Sequence, residues 1–215
     1  GIIAFNAAIS ACEKGGQWHQ ALGVFSKMQQ CRAEPNAVTY SAVLSACEKS
    51  SKWHEALGVF SDMRQRCVVS DVITYNAVIS ACGKGARSHE ALLLLLDMRR
   101  SNLSPDIVTY NAAIEACGKN IRWSQALSLF WEVQSCLLEP GVITYNTAIS
   151  ACEKGVRWKE TVGIFSDMRR RRVEPHVITY NAAISAYTKC TLWEQALGFF
   201  CKHEAAWPRT RCSRP

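Results

Sequence analysis

Apolar residues recur along the chain in two alternating helical patterns. From Thr74 to Lys84 they lie at spacings i, i+3, i+4 and i+7, which describe one face of a helix. From Trp18 to Met28 the same spacings predict a second helix of about 14 residues. Glycine, proline or polar residues separate the two patterns. The chain therefore reads as helix, short turn, helix, short turn.

This unit is repeated six times. The segment VITYNAVISAC at 72–82 recurs with few changes at 2–12, 37–47, 107–117, 142–152 and 177–187, so successive copies start 35 residues apart. A fixed period of this size is typical of solenoids, in which each unit buries its apolar faces against its neighbours. We predict an all-α fold, a right-handed α-solenoid of stacked helix-turn-helix repeats. The predicted units are 2–36, 37–71, 72–106, 107–141, 142–176 and a degenerate sixth at 177–203, followed by a basic tail at 204–215.

Local signals predict where the helices begin and end. Positions are numbered within each unit from 1, the first residue of the repeated segment. Threonine at position 3, such as Thr74, is a predicted N-cap. Position 14 is predicted to hold a residue in left-handed conformation directly after the first helix. Glycine suits this conformation best, and Asn120 in unit four is the next best choice. The position 14 glycines are Gly15, Gly85 and Gly155, and the prolines that end the second helix at position 34 are Pro35, Pro105, Pro140 and Pro175.

Eleven cysteines raise the question of a disulfide framework. Five share position 11, namely Cys12, Cys47, Cys82, Cys117 and Cys152. Helices of successive layers lie about 10 Å apart, beyond the roughly 7 Å Cα separation that a disulfide allows. We therefore expect small buried apolar residues in a reducing compartment. The sequence has no CxxC pair, so no zinc site is expected either.

Composition adds little beyond class. Of the 215 residues 48% are hydrophobic, and the net charge of +7 suits a polyanionic partner. No apolar run approaches the roughly 18 residues of a membrane span, so no membrane association is predicted. The first residue is Gly1 and not an initiator methionine. We expect a fragment or a processed form, whose targeting peptide would not be visible.

The repeat resembles a known family. The 35-residue period, a first helix opening VTYN or ITYN, a second helix carrying ALxxFxxM and a proline before the next unit are similar to the pentatricopeptide repeat (PPR) family over residues 2–203. Uniform repeat length resembles its P-type subclass. The resemblance implies a single-stranded RNA partner, read at about one base per repeat by two or three side chains. It also implies a role in RNA processing or stability in mitochondria or plastids.

The resemblance assigns base reading to positions 5 and 35. Position 5 holds Asn6, Ser41, Asn76, Asn111, Asn146 and Asn181, and position 35 holds Asn36, Asp71, Asp106, Gly141 and His176. Amides, hydroxyls and carboxylates can match the edge of a base. Paired in order, they imply C, G and U for the first three units and a pyrimidine for the next two. Alternatively, the position 5 asparagines hydrogen-bond their own helix N-terminus.

Two further positions are implied to contact RNA. Position 2, where an aliphatic side chain would separate successive bases or alternatively pack helices, holds Ile3, Val38, Ile73, Val108, Ile143 and Ile178. Position 13, where a cation would meet phosphate and also favour the helix dipole, holds Lys14, Lys49, Lys84, Lys119, Lys154 and Lys189.

No catalytic apparatus is recognisable, so we predict a non-enzymatic binder without cofactor, metal or small-molecule substrate. The position 12 acids Glu13, Glu48 and Glu153 are one per layer and unpaired in the sequence pattern. Histidines at position 18 (His19, His54 and His89) are expected at the surface, since successive layers are too far apart to share a metal. Two alternatives stay open: a protein-binding helical scaffold, and the RNA-targeting part of an editing or cleavage factor whose effector is an unidentified domain or protein.

Overall fold

The computed structural model describes residues 1–192 together with 194, 196 and 198. Over these residues the chain forms eleven α-helices of equal length, and the remainder of unit six with the basic tail lies outside the described residues. The helices are α1 (Ile2–Lys14), α2 (Trp18–Gln30), α3 (Ala37–Lys49), α4 (Trp53–Gln65), α5 (Val72–Lys84), α6 (Ser88–Arg100), α7 (Ile107–Lys119), α8 (Trp123–Ser135), α9 (Val142–Lys154), α10 (Trp158–Arg170) and α11 (Val177–Lys189).

The helices form two layers. The first helices of successive units, α1, α3, α5, α7, α9 and α11, pack directly on one another. Each second helix packs against the first helix of its own unit and against the first helix of the next. Every unit thus buries its apolar faces against its neighbours, as the repeat predicts. The all-α solenoid is confirmed.

Aromatic pairs and small residues fill the space between units. A phenylalanine of one second helix meets the tyrosine at position 4 of the next unit edge-on, with ring centroids 5.4 Å apart for Phe25 and Tyr40 and 5.3 Å for Phe130 and Tyr145. The tyrosine hydroxyl donates to an acid on the following second helix, at 2.6 Å from Tyr40 to Asp62 Oδ2. The interior is therefore apolar at its centre, with the hydroxyls satisfied at its edge.

The position 11 cysteines lie in this interior. Cys47, Cys82, Cys117 and Cys152 are buried, as predicted, and Cys12 in the first unit is half-buried. Burial raises the pKa of the Cys82 thiol to about 12 and that of Cys117 to about 11. These thiols are therefore neutral and unreactive near pH 7.

The predicted N-cap was wrong by three positions. The first helices begin at position 1, and the N-cap is position 35 of the preceding unit. Asp71, in extended conformation, accepts a hydrogen bond from the backbone N–H of Thr74 at 2.8 Å. Threonine is the third helical residue and completes a capping box with Asn36 and with Asp106. An Asx side chain at position 35 supplies the acceptor that the helix end needs, although α9 begins at the same position after Gly141, which has none.

The predicted left-handed residue was wrong by one position. Gly15 and Gly85 are right-handed, both at φ −80°, and position 15 carries the positive φ, as at Ala86 (φ 56°). The N–H of position 16 then bonds to the carbonyl of position 11, 2.9 Å from Arg87 N to Cys82 O, which places the left-handed residue directly before it. Glycine at position 14 has another reason, because a Cβ on Gly85 would lie 2.3 Å from Trp53 Cδ1.

Candidate functional site

The predicted base-reading side chains meet in pairs at the junctions between units. Asn76 Nδ2 donates to both carboxylate oxygens of Asp106, at 3.1 and 3.0 Å. Asn6 Nδ2 donates more weakly to Asn36 Oδ1, at 3.4 Å. Position 35 caps the first helix of the next unit, and position 5 lies one turn into the first helix of its own unit. These two helices pack on one another, which brings the two side chains together.

A threonine of the next unit completes the first, third and fifth junctions. Thr39 Oγ1 donates to Asn6 Oδ1 at 2.6 Å, Thr179 makes the same bond to Asn146 at 2.6 Å, and Thr109 donates to Asn76. The partners of these position 5 amides therefore lie in the next unit and not in their own helix N-terminus. Sequence reasoning missed the threonine because it was interpreted as a cap. Its recurrence at position 3 of units two to six was the available signal.

The second and fourth junctions are built differently. Ser41 makes no hydrogen bond to Asp71 among the described contacts, and both line an open cavity of about 580 Å³ on the inner face. At the fourth junction Gly141 has no side chain to offer. Asn111 Oδ1 and Thr144 Oγ1 are buried there without a hydrogen-bond partner in the described part of the chain.

The remaining predicted residues are placed as follows. Asn146 is held by Thr179, while the His176 backbone N–H donates to Thr179 Oγ1 at 3.0 Å. Asn181 is exposed, and its position 35 partner, Arg211, falls outside the described residues. The structure thus brings together the first and third pairs by direct hydrogen bonds, whereas the second, fourth and fifth pairs show no such bond among the described contacts.

The aliphatic side chains at position 2 face solvent. Their exposed fractions run from 51% for Val108 to 86% for Ile3. Packing between helices, the alternative role, would bury them. These side chains therefore form a row of exposed apolar groups beside the junction residues.

Three of the six position 13 lysines form ion pairs between units. Lys49 Nζ lies 2.8 Å from Glu13, Lys84 2.6 Å from Glu48, and Lys189 2.8 Å from Glu153. A position 9 serine also donates to each acid, as Ser45 does to Glu13 at 2.8 Å. Sequence reasoning missed these bridges because acid and base lie 36 residues apart.

The bridges perturb the acids. Burial would raise the pKa of Glu13 and of Glu153, but the hydrogen bonds from lysine and serine outweigh it. The pKa of each carboxyl is therefore held below its usual range. These acids therefore stay ionised at neutral pH, and their negative charge offsets the positive charge of the lysines.

Units three and four lack a position 12 acid, and glycine replaces it. A Cβ on Gly83 would lie 2.8 Å from the carbonyl oxygen of Ala112, and one on Gly118 would lie 2.9 Å from Ala151 Cβ. The first helices approach too closely there for a side chain. Lys119 pairs within its own helix with Glu115 at 2.8 Å, whereas Lys14 and Lys154 have no ion pair among the described residues.

Other chemistry is not indicated within the described range. His19, His54 and His89 are exposed, as predicted. Over the described residues no group of three His, Cys, Asp or Glu side chains could hold a metal ion. The helices described are also too short or too polar to cross a bilayer.

Comparison with protein families gives a clear match. The PPR repeat family profile matches residues 1–49, 35–84, 70–119, 105–154 and 140–189, and a PPR repeat profile matches 178–202. The search of curated protein sequences gave no significant match.

Solved structures of the same architecture are similar along almost the whole chain. The maize pentatricopeptide repeat protein PPR10 is 25% identical, with a TM-score of 0.77 over 96% of this chain. PPR10 in complex with an 18-nt psaJ RNA element is 23% identical, with a TM-score of 0.76 over 96% of this chain. The chain spans 30% of the length of PPR10 in both. The PPR domain of Arabidopsis thaliana protein-only RNase P 1, in complex with tRNA, is 12% identical, with a TM-score of 0.75 over 87% of this chain and 98% of that domain.

Proposed function

Since the chain belongs to the PPR family, we propose that it binds single-stranded RNA in a sequence-specific manner, at about one nucleotide per repeat. The observation that supports this most directly is the junction of Asn76, Asp106 and Thr109. Asp106 of the same unit and Thr109 of the next unit hold the Asn76 amide in a fixed orientation, beside a carboxylate that is only half-buried. A base that meets this junction finds donors and acceptors already placed.

Each junction has unused hydrogen-bonding capacity. The Asn76 amide donates to Asp106 and accepts from Thr109, so its second N–H is available to a base. Asp106 keeps lone pairs that can accept from a base N–H. Because the protein contacts fix both groups in advance, little side-chain entropy is lost when a base binds.

The exposed position 2 aliphatics would lie between successive bases. Layers about 10 Å apart are too far apart for bases to stack on each other. An apolar side chain such as Ile73, 66% exposed, can fill the gap and cover the faces of two bases. This gives a reason for leaving a large aliphatic group in solvent at the same place in every unit.

The position 13 lysines would contact phosphates. In the free chain Lys49, Lys84 and Lys189 are bridged to acids, so phosphate must displace those acids. Partly exposed ion pairs are worth only about 0–1 kcal/mol, so the exchange costs little. Six contacts predict a salt slope of about −4, from ~0.7 per contact, whereas the unbridged Lys14 and Lys154 alone predict about −1.4.

The implied target reads C, G, U and two pyrimidines from 5′ to 3′, parallel to the protein chain. A role in organellar RNA processing or stability, in mitochondria or plastids, follows the same family relationship. Binding alone could serve either role by protecting an RNA end or blocking a hairpin.

Selection of bound RNAs from a random pool tests the proposal. The pair in the third unit, Asn76 with Asp106, implies U and can be converted by one substitution into a pair found in another unit. Ser41 with Asp71 implies G, and Asn6 with Asn36 implies C. Asn76→Ser should move the third letter from U to G, and Asp106→Asn should move it from U to C. Ser61→Ala, on the exposed face of α4, is the matched control and should change nothing. A pool without an enriched motif, or a motif unchanged by both substitutions, would favour a protein-binding scaffold.

A further inference from the structure

The second helices present an exposed stripe on the side away from the junctions. It consists of positions 18, 22, 25 and 29, which are exposed in each of the first five units. In units one, two and five, positions 22 and 25 hold glycine and serine, namely Gly23, Ser26, Gly58, Ser61, Gly163 and Ser166. The stripe is therefore small and polar in most of the array.

Units three and four break this pattern. Position 22 of α6 is Leu93, 51% exposed, and position 25 is Leu96, 46% exposed. Position 25 of α8 is Trp131, 47% exposed. The two helices are neighbours joined by the ion pair between Arg99 and Glu132. Large apolar side chains are thus exposed together where other units carry glycine and serine.

A groove continues this surface towards unit five. Beside Trp131, between α8 and α10, lies a cavity of about 300 Å³ that Leu127, Gly163 and Ile164 also line. A Cβ on Gly163 would meet nothing within 4 Å, so the glycine leaves space there. This volume is at the small end of binding pockets and fits one large apolar side chain. We call these residues, with Leu93 and Leu96, the outer patch.

The charge around the outer patch is positive. Position 29 holds Arg100 in unit three and Arg170 in unit five, where units one and two have Gln30 and Gln65. Arg100 has no ion pair in the described part of the chain, and Arg170 contacts Asp167 while its side chain stays 77% exposed.

The nearby acids are already paired with arginines, and Asp167, which lines the groove, contacts both Arg170 and Arg171. Glu90 pairs with Arg87, and Glu160 with Arg157 at 2.6 Å. The arginines of the stripe lie in unit three, together with Leu93 and Leu96, and in unit five, the unit directly after that of Trp131.

We propose that the outer patch binds an acidic amphipathic α-helix of a partner protein. Apolar side chains spaced i, i+3 or i+4 and i+7 would contact Leu93, Leu96 and Trp131, with one in the groove. Exposed aromatic side chains and arginines are typical of protein interfaces. Acidic residues flanking the apolar face would pair with Arg100 and Arg170. The surface lies away from the junctions, so RNA and this partner would bind together.

A displayed library of random peptides, each about 14 residues long, tests the surface. Selection against the whole chain should enrich acidic peptides with helical apolar spacing. Leu93→Ser, Leu96→Ser and Trp131→Ser combined should weaken an enriched peptide by about tenfold or more, since buried aromatics dominate such interfaces. Val69→Ser, which removes an 82% exposed apolar side chain elsewhere, is the matched control and should keep full affinity. The triple variant should keep the melting temperature and RNA affinity of the parent chain.

Four outcomes would overturn the proposal. One is no enrichment, or enrichment of basic peptides. Another is peptide binding that the triple substitution leaves unchanged or that RNA displaces. Binding to anionic lipid vesicles that the triple variant loses would assign the surface to membranes. Dimerisation in sedimentation experiments that the triple variant abolishes would assign it to a second copy of the chain. If the parent chain binds no RNA, the proposed function is refuted, whereas the peptide selection still tests the outer patch.

Discussion

The third and fourth junctions occupy the same place in the repeat and differ in one side chain. At the third, Asp106 caps α7 by accepting from the backbone N–H of Thr109, and it also accepts from the Asn76 amide. At the fourth, Gly141 does none of this, and Thr144 Oγ1 stays buried without a hydrogen-bond partner in the described chain. The comparison shows that position 35 serves two purposes. It caps the next helix and it belongs to the pair proposed to read a base.

A second difference separates the fourth junction, between α7 and α9, from the second, between α3 and α5. The close approach of α7 and α9 needs Gly118, which removes the acid that would bridge to Lys154. At the junction of α3 and α5, Glu48 bridges to Lys84 instead. The fourth junction is therefore held by close packing of two helices, whereas the second junction carries an ion pair. The following predictions break or sharpen this contrast.

The largest effect is expected from Gly118→Ala. The new Cβ would lie 2.9 Å from Ala151 Cβ and 3.2 Å from its Cα, so the helices must separate. Overpacking of this kind costs about 1–3 kcal/mol, more than the roughly 0.5–1 kcal/mol that alanine gains over glycine in a helix. Gly163→Ala is the matched control and should stabilise the chain, since its Cβ meets nothing within 4 Å. Thermal or urea unfolding measures both, and equal effects would disprove the packing argument.

Gly141→Asp should convert the fourth junction into a copy of the third. Its backbone, at φ −90° and ψ −178°, resembles that of Asp106 and accepts the side chain. The carboxylate would cap α9 and accept from Thr144, a gain of about 1 kcal/mol in unfolding free energy. The proposed fourth RNA letter should sharpen from a pyrimidine to U. Gly141→Ala supplies no acceptor and should give neither change, which separates capping from loss of chain entropy.

Sequence alone predicted the architecture but not this contrast. The period and apolar spacing, seen in Tyr75, Val78 and Ile79, are enough to predict helices that bury one face against neighbours. The start of the first helix was missed because Thr74 is a good cap in isolation, and only the fold shows Asp71 in that place. The Glu13 to Lys49 bridge depends on how two layers align, which no local pattern contains. Base-reading positions came from family resemblance, and their junctions required coordinates.

Lys154→Gln and Lys84→Gln test the lysines at the two kinds of junction. Lys154 has no ion pair among the described residues, whereas Lys84 is bridged to Glu48 at 2.6 Å. Phosphate contact by Lys154 displaces no acid, so Lys154→Gln should cost more RNA affinity. Each lysine that contacts phosphate should reduce the salt slope by ~0.7. RNA titrations across a salt series measure this, and equal losses would mean that the bridges do not compete with RNA.

The smallest effect is expected from Glu153→Gln. Because the pKa of Glu153 is lowered in the folded chain, its stabilisation is present above the unfolded pKa and lost as pH falls through the folded one. Partly exposed pairs contribute about 0–1 kcal/mol, so the variant should melt slightly lower at neutral pH. Once the pH is below the folded-state pKa, the carboxyl is protonated in both states and the two proteins should converge. A constant difference across this range would assign the effect to packing and not to charge.

The double duty of position 35 also limits how such a chain can evolve. Under the proposed function, a single codon change there would retarget one letter of the RNA site and would also alter the N-cap of the next helix. Asp106 caps its helix and belongs to a proposed base-reading pair, whereas Gly141 provides no side-chain cap. Selection for a new RNA target therefore acts on heat resistance as well. An array can accept only as many poorly capped helices as its remaining interfaces can offset.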